Sequence, residues 1–266
     1  MSPTEDYSSI ADASKPNAGR VYDYLLGGNH NFEIDRQAAQ QVLSVAPFMP
    51  EMVKLIRWFL GEAVRRLLEQ GFTHFLDFAS GLPTVDHIHQ ISPEGTKVVY
   101  SDLDPVTVAY ARQIIGENPN IRYVHSNAGK AELLLDSAEI KELFGKVRKA
   151  AIGFNGIAWF LPDEQVSHTM KKLYDWAGKD SKVFLCDGDA ETVGPELQVF
   201  DELYRNMGQP VYHRSKETLA ELVKPWKLDD PGFMLLEEWI ELDKKIAEAE
   251  IKTWGGGGFV GAILKK

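Results

Sequence analysis

Residues 75–84 read FLDFASGLPT. A short apolar run closes on Asp77, and small residues, a glycine and a proline then turn the chain. A strand that delivers the chain into a ligand-binding loop has this pattern, because glycine lets the backbone approach a bound molecule closely. Only Gly81 is present, with Ala79 and Ser80 standing where a further glycine is usual. The loop has neither GxGxxG nor GxxxxGK[ST], so it suits a pyrophosphate poorly, while an amino acid and a ribose remain compatible with it. The plainer account is a tight strand-to-helix turn.

Working outward, the next apolar run, KVVYSD (97–102), ends at Asp102, 21 residues beyond Gly81. An acidic residue at that spacing is placed to accept hydrogen bonds from ribose hydroxyls, and a carboxylate offers two oxygens to two adjacent hydroxyls. The alternative is a cap on the helix starting at Pro105. We assign the cap to Asp104 and the ribose to Asp102. Together the two strand ends favour an adenosine-containing cofactor and disfavour a 2′-phosphate. A third run ends at His125-Ser126-Asn127, where Asn127 suits either a purine edge or a helix cap. A fourth, AAIGFN, places Asn155 and Gly156 where a ligand would cross the sheet. Trp159 and Phe160 follow as core or pocket wall, and Asp163 as the cap of the next helix.

These runs and KVFLCD (182–187) alternate with helical patterns near 105–116, 130–145 and 163–177. Such alternation predicts a parallel sheet with helices on both faces and ligands at the carboxyl ends of the strands. A late helix near 215–224 and strands near 233–240 and 258–264 suggest an antiparallel edge. The first third reads as helices at 17–26, 33–46 and 51–70, the last with Val53, Ile56, Leu60, Val64 and Leu67 at helical spacing. The chain therefore divides into a helical cap, 1–70, and an α/β body, 71–266.

The stretch RVYDYLLGGNHNFEIDR (20–36) crowds tyrosines, a Gly-Gly break and amides into a short span. That mix fits a lid closing over a ligand, or a packed cap without ligand contact. Other features carry less. DHIHQ (86–90) holds a His-x-His pair, but residues two apart on a helix do not face each other, so no metal is expected. Asp187 and Asp189 read as solvated loop acids, and Cys186 as a neutral core thiol. WGGGG (254–258) precedes a strand rather than opening a helix, which fails the context a phosphate cradle needs.

Composition narrows the class. Of 266 residues, 44% are hydrophobic and 26% charged, which is globular. The formal net charge of −10 disfavours a nucleic-acid partner and leaves small molecules or proteins. One cysteine allows no intrachain disulfide, which fits a reducing cytosol. The polar start lacks a signal-peptide core, no run is long enough to span a bilayer, and the sequence leaves the oligomeric state open.

RVYDYLLGGNHNFEIDR, FLDFASGLPT, VVYSDLDPV (98–106), AWFLPD (158–163), HRSKETLAELV and WGGGGFVG together resemble the bacterial family of S-adenosylmethionine-dependent methyltransferases first catalogued as a domain of unknown function. The resemblance covers nearly the whole chain. It implies a class I, Rossmann-like seven-stranded sheet with an antiparallel last strand, and S-adenosylmethionine as cofactor. Asp77, Ala79, Ser80 and Gly81 would face the methionine part, Asp102 and Leu103 the ribose, Asn127 and Ala128 the adenine, with Asn155 near the fourth-strand edge. The family favours D-x-G-x-G in the loop, an aspartate at the position of Asn127 and a histidine at that of Trp159. Its methyl acceptor is not established.

The expected reaction is methyl transfer from a sulfonium to a small-molecule nucleophile, which needs alignment and exclusion of water. If the acceptor must lose a proton, Tyr24, His30 and Asp35 are the candidate bases. Competing readings are a non-catalytic S-adenosylmethionine-binding module and, less well supported, an NAD-dependent oxidoreductase.

Overall fold

The computed structural model describes residues 14–84, 86–190, 197–239 and 258–266. The five apolar runs form parallel strands: β1 (His74–Asp77), β2 (Lys97–Asp102), β3 (Ile121–His125), β4 (Ala151–Asn155) and β5 (Lys182–Gly188). Three more follow: β6 (Lys227–Leu228), β7 (Met234–Leu235) and β8 (Phe259–Lys265). The order is β3-β2-β1-β4-β5-β8-β6, with β7 also on β8. The long β8 runs antiparallel to β5, from Gly188 opposite Phe259 to Lys182 opposite Lys265.

The outermost ladder is broken. Leu228 lies opposite Leu264, and Met234 opposite Gly261. The segment between them advances six residues while β8 advances three, so three residues loop out around Pro231-Gly232. A proline cannot donate to the ladder, which explains the break. Among the described residues, eight strands thus fill the seven positions of the expected sheet.

The helices are α1 (Ala18–Leu25), α2 (Glu33–Val45), α3 (Met49–Glu69), α4 (Ile88–Ile91), α5 (Pro105–Ile115), α6 (Ala131–Leu135), α7 (Ala138–Phe144), α8 (Asp163–Trp176), α9 (Leu197–Asn206), α10 (Lys216–Leu222) and α11 (Leu236–Trp239). Period-two alternation along the strands sorts their side chains into two cores. Phe75, Val98, Tyr100, Ala151 and Phe184 join one core with the buried faces of α1, α2 and α3. Leu76, Val99, Ile152, Val183 and Leu185 join the other, against α6, α7, α8 and α10. The stripe expected on α3 is buried from Val53 to Leu67.

Three sequence expectations need correction. The helix expected over 130–145 is two, because Ser137 leaves the helical path and caps α7 by accepting from the Ile140 amide. The strand expected over 233–240 ends after Leu235. The chain turns into α11, so that the Trp239 indole donates to the Gly261 carbonyl at 2.8 Å and packs on Phe59. Asp163 is not the cap of α8, whose N-cap is Pro162 with no side-chain bond. Its carboxylate instead accepts from Arg214 Nε at 2.8 Å.

Candidate functional site

β1, β2, β3 and β4 all end on one side of the sheet, and the chain leaves each through a polar or small residue. Beyond these ends lies a cavity of about 310 Å³, roofed by α1 and α3 and walled by the four loops. Asp77, Ala79, Ser80, Gly81, Asp102, Leu103, Asn127, Ala128 and Asn155 all line it.

The loop after β1 is fixed from within. Gly81 has φ of +64° and Ala79 of +50°. Alanine is therefore left-handed here, the region that favours glycine. The Ser80 hydroxyl donates to the Asp77 carbonyl at 2.9 Å, so it braces the loop. The Gly81 amide donates to Asp102 Oδ2 at 3.0 Å, and the Asp104 amide to Asp102 Oδ1 at 2.9 Å. Each oxygen keeps a further lone pair for a ligand hydroxyl. Burial raises Asp102 to about 6, against the lowering pull of the Asp104 and Gly81 amides.

Burial likewise raises Asp77 to about 6, while the Arg57 guanidinium acts in the opposite direction. The conformation of Asp77 depends on Gly153 in the neighbouring strand, where an added Cβ would stand 2.1 Å from Asp77 Oδ1. Asn127 Oδ1 accepts from the Gly129 amide at 2.8 Å, the Ala128 carbonyl accepts from Thr169 Oγ1, and Asn155 Nδ2 donates to the Ile56 carbonyl at 3.2 Å. His125 Nε2 lies 2.7 Å from the Leu103 carbonyl.

Among the described residues, five polar atoms on this wall are buried without a hydrogen-bond partner: Arg57 Nε, Asp77 Oδ1, Ser126 Oγ, Asn155 Oδ1 and Trp159 Nε1. A buried polar atom without a partner is costly, so such a cluster marks a place where a polar ligand completes the bonding. The arrangement fits an adenosine bearing a charged tail. It offers acceptors for ribose at Asp102, polar groups beyond β3 for a purine, and unspent charge at the end of β1.

The candidate bases stand elsewhere. None of Tyr24, His30 and Asp35 is on the cavity wall. The Tyr24 hydroxyl accepts from Gln40 Nε2. The His30 amide donates to Asp23 Oδ2, and its ring meets Tyr110 edge-on. Asp35 is wholly buried, accepting from Arg20 Nε at 2.8 Å and from the amides of Asn17 and Phe32. Arg20 also bonds Asp104 at 2.8 Å, and Asp104 caps α5 as expected. The motif at 20–36 is thereby clamped to the turn that carries Asp102.

Asp187 and Asp189 are corrected from solvated loop acids to buried ones. Asp187 pairs with Arg214 at 3.3 Å and is raised by burial to about 7, and Asp189 pairs with Lys216 at 3.5 Å. Cys186 lies in the core, and burial raises its thiol well above the usual range. His87 is buried with Nε2 2.7 Å from the Leu82 carbonyl, and His89 Nδ1 lies 2.9 Å from the Tyr100 hydroxyl. Among the described residues, no three His, Cys, Asp or Glu side chains gather as metal ligands would. Trp254 and the glycines at 255–257 lie outside the described residues.

Sequence reasoning missed Arg57, Ser126 and Gly153. Arg57 had a legible signal: it stands four residues after Val53, inside the apolar stripe of α3, where a charge has no reason to be unless it meets something. Gly153 had none, because its role depends on a neighbour in another strand.

The model of a family described as S-adenosyl methyltransferase matches residues 4–262. A Thermobifida fusca structure assigned provisionally as a methyltransferase is similar at 26% identity and a TM-score of 0.86, covering 99% of each chain. A protein of the DUF574 family from Streptomyces avermitilis is similar at 25% identity and a TM-score of 0.85, covering 96% of this chain and 99% of that one. The fold is shared, at 11% identity and a TM-score of 0.55, with magnesium protoporphyrin IX methyltransferase from Synechocystis with bound S-adenosylhomocysteine, covering 98% of this chain and 100% of that one. No curated protein matches the sequence.

Proposed function

The chain belongs to the S-adenosyl methyltransferase family, and from that premise we propose that the cavity at the ends of β1–β4 holds S-adenosylmethionine for methyl transfer to a small-molecule acceptor. The observation that carries this reading is the set of five unpartnered buried polar atoms on one wall. Asp102 would hold the ribose hydroxyls, beside Leu103. Asn127 and Ala128 would flank the adenine. Asp77 and the loop through Ala79, Ser80 and Gly81 would receive the methionine part, with Asn155 at the edge of β4.

When bound, the cofactor supplies an electrophilic methyl group on a sulfonium. The protein's part is alignment and exclusion of water. Tyr22, Met49, Val53, Leu60, Trp159 and Phe259 give the remaining wall a largely apolar and aromatic character. Such a wall suits a small acceptor already nucleophilic at its reacting atom, and then no general base is needed. Tyr24, His30 and Asp35 would then support the helical cap read for residues 1–70, of which the described helices α1 and α3 roof the cavity. A cytosolic location suits the free, buried Cys186.

Calorimetric titration with S-adenosylhomocysteine, the demethylated product, tests the reading. Saturable one-to-one binding is expected, and NAD should give none. Absence of saturable heat with the nucleoside product would overturn it.

A further inference from the structure

Two groups of opposite charge hold unspent atoms in the same cavity. Arg57 rises from α3 with its side chain 8% exposed and Nε buried without an acceptor. Asp77, at the end of β1, is 2% exposed, and its Oδ1 has no donor. The guanidinium is near enough to pull the Asp77 carboxyl towards ionisation. Its Cζ lies 5.6 Å from the centre of the Tyr22 ring, within cation–π range. Among the described residues on the wall, Arg57 is the one Lys, Arg or His.

A buried charge without full compensation is expensive, and a fold keeps one where a ligand supplies the missing partner. The partner must here present an anion to Arg57 and a cation to Asp77 at once. An α-amino acid does so, with a carboxylate and an ammonium on one carbon. A guanidinium fork matches a planar carboxylate through two parallel hydrogen bonds, which a lysine would not.

We propose that Arg57 anchors the carboxylate of the cofactor's amino-acid end while Asp77 takes its ammonium, so that the pair reads a zwitterion. This rests on the cofactor assignment above. It also leaves the described wall without a spare cation to hold an anionic acceptor.

The test compares two ligands sharing adenosine and thioether: S-adenosylhomocysteine, and 5′-methylthioadenosine, which lacks the amino acid. Each is titrated calorimetrically into the wild-type chain, Arg57→Gln and Arg57→Lys. Loss of a charge-assisted pair should weaken S-adenosylhomocysteine binding to Arg57→Gln by roughly 10- to 100-fold, with methylthioadenosine changed by less than about 3-fold. Arg57→Lys should recover part of the loss. Equal weakening of both ligands would show a merely structural role and overturn the proposal, as would unchanged S-adenosylhomocysteine binding. Should Arg57→Gln fail to fold, the wild-type chain suffices: an S-adenosylhomocysteine analogue lacking only the carboxylate should bind at least about 10-fold more weakly, and equal affinity would overturn the proposal. Wild-type chain that binds methylthioadenosine and S-adenosylhomocysteine equally defeats the zwitterion pair alone. Wild-type chain that binds neither defeats the cofactor assignment as well.

Discussion

Ala79 sits at φ +50° in a loop where glycine would be at ease. A left-handed angle costs a residue with a Cβ about 1–2 kcal/mol, and glycine forfeits about 0.5–1 kcal/mol of that gain through unfolded-state entropy. Ala79→Gly should therefore stabilise the chain by about 0.5–1 kcal/mol and raise its Tm by about 2 °C in a thermal melt. A lower Tm would mean that the angle carries no strain. The sequence showed the missing glycine, but the sign of φ at that position is set by the closed loop. Ser80 and Gly81 impose that closure through bonds to Asp77 and Asp102. Asp102 was legible because its spacing from the loop is a property of one strand-helix-strand unit. Arg57 carried its signal as a charge inside the apolar stripe of α3, whereas the burial of Ser126 on the cavity wall is set by packing that the sequence does not record.

β1 and β2 converge on the cavity with one carboxylate each. Burial raises both Asp77 and Asp102 from the ordinary value of 3.8 to about 6. Their folded values lie above the unfolded one, so between about pH 4 and pH 6 the folded chain holds more protons than the unfolded chain. Their contribution to stability is full below that window and is lost as pH rises through 6. Ligand binding runs the other way, because an ammonium and ribose hydroxyls favour ionised carboxylates and binding below pH 6 must release protons. S-adenosylhomocysteine should thus bind roughly 10-fold more tightly at pH 7.5 than at pH 5.5, read as a larger ligand-induced rise in Tm at the higher pH. An equal or larger rise at pH 5.5 would contradict it. At the same scale, most element boundaries were legible from apolar spacing, notably α3 and the five parallel strands. The breaks at Ser137 and Pro231-Gly232 were not, because a cap and a ladder slip depend on packing that periodicity does not record. The Arg20 clamp, joining Asp35 to Asp104, is a further link of this kind, spanning 84 residues between α1 and the β2 turn.

Across the molecule, alternating strands and helices predict a ligand at the carboxyl ends of the strands, and the cavity at the ends of β1–β4 is lined by every residue that the sequence reading gave to a cofactor. Its roof was less legible. The first three helices share a core with one face of the sheet, so Ala18, Gly19 and Tyr22 become wall through packing. The central claim is that this cavity is the cofactor's seat. A crystal structure of the chain grown with S-adenosylhomocysteine tests it most directly. The account expects the ribose hydroxyls on Asp102, the adenine beside Asn127 and Ala128, and the amino-acid end between Asp77 and Arg57. A bound nucleoside outside the β1–β4 ends, or one inverted with its adenine against Asp77, would contradict it.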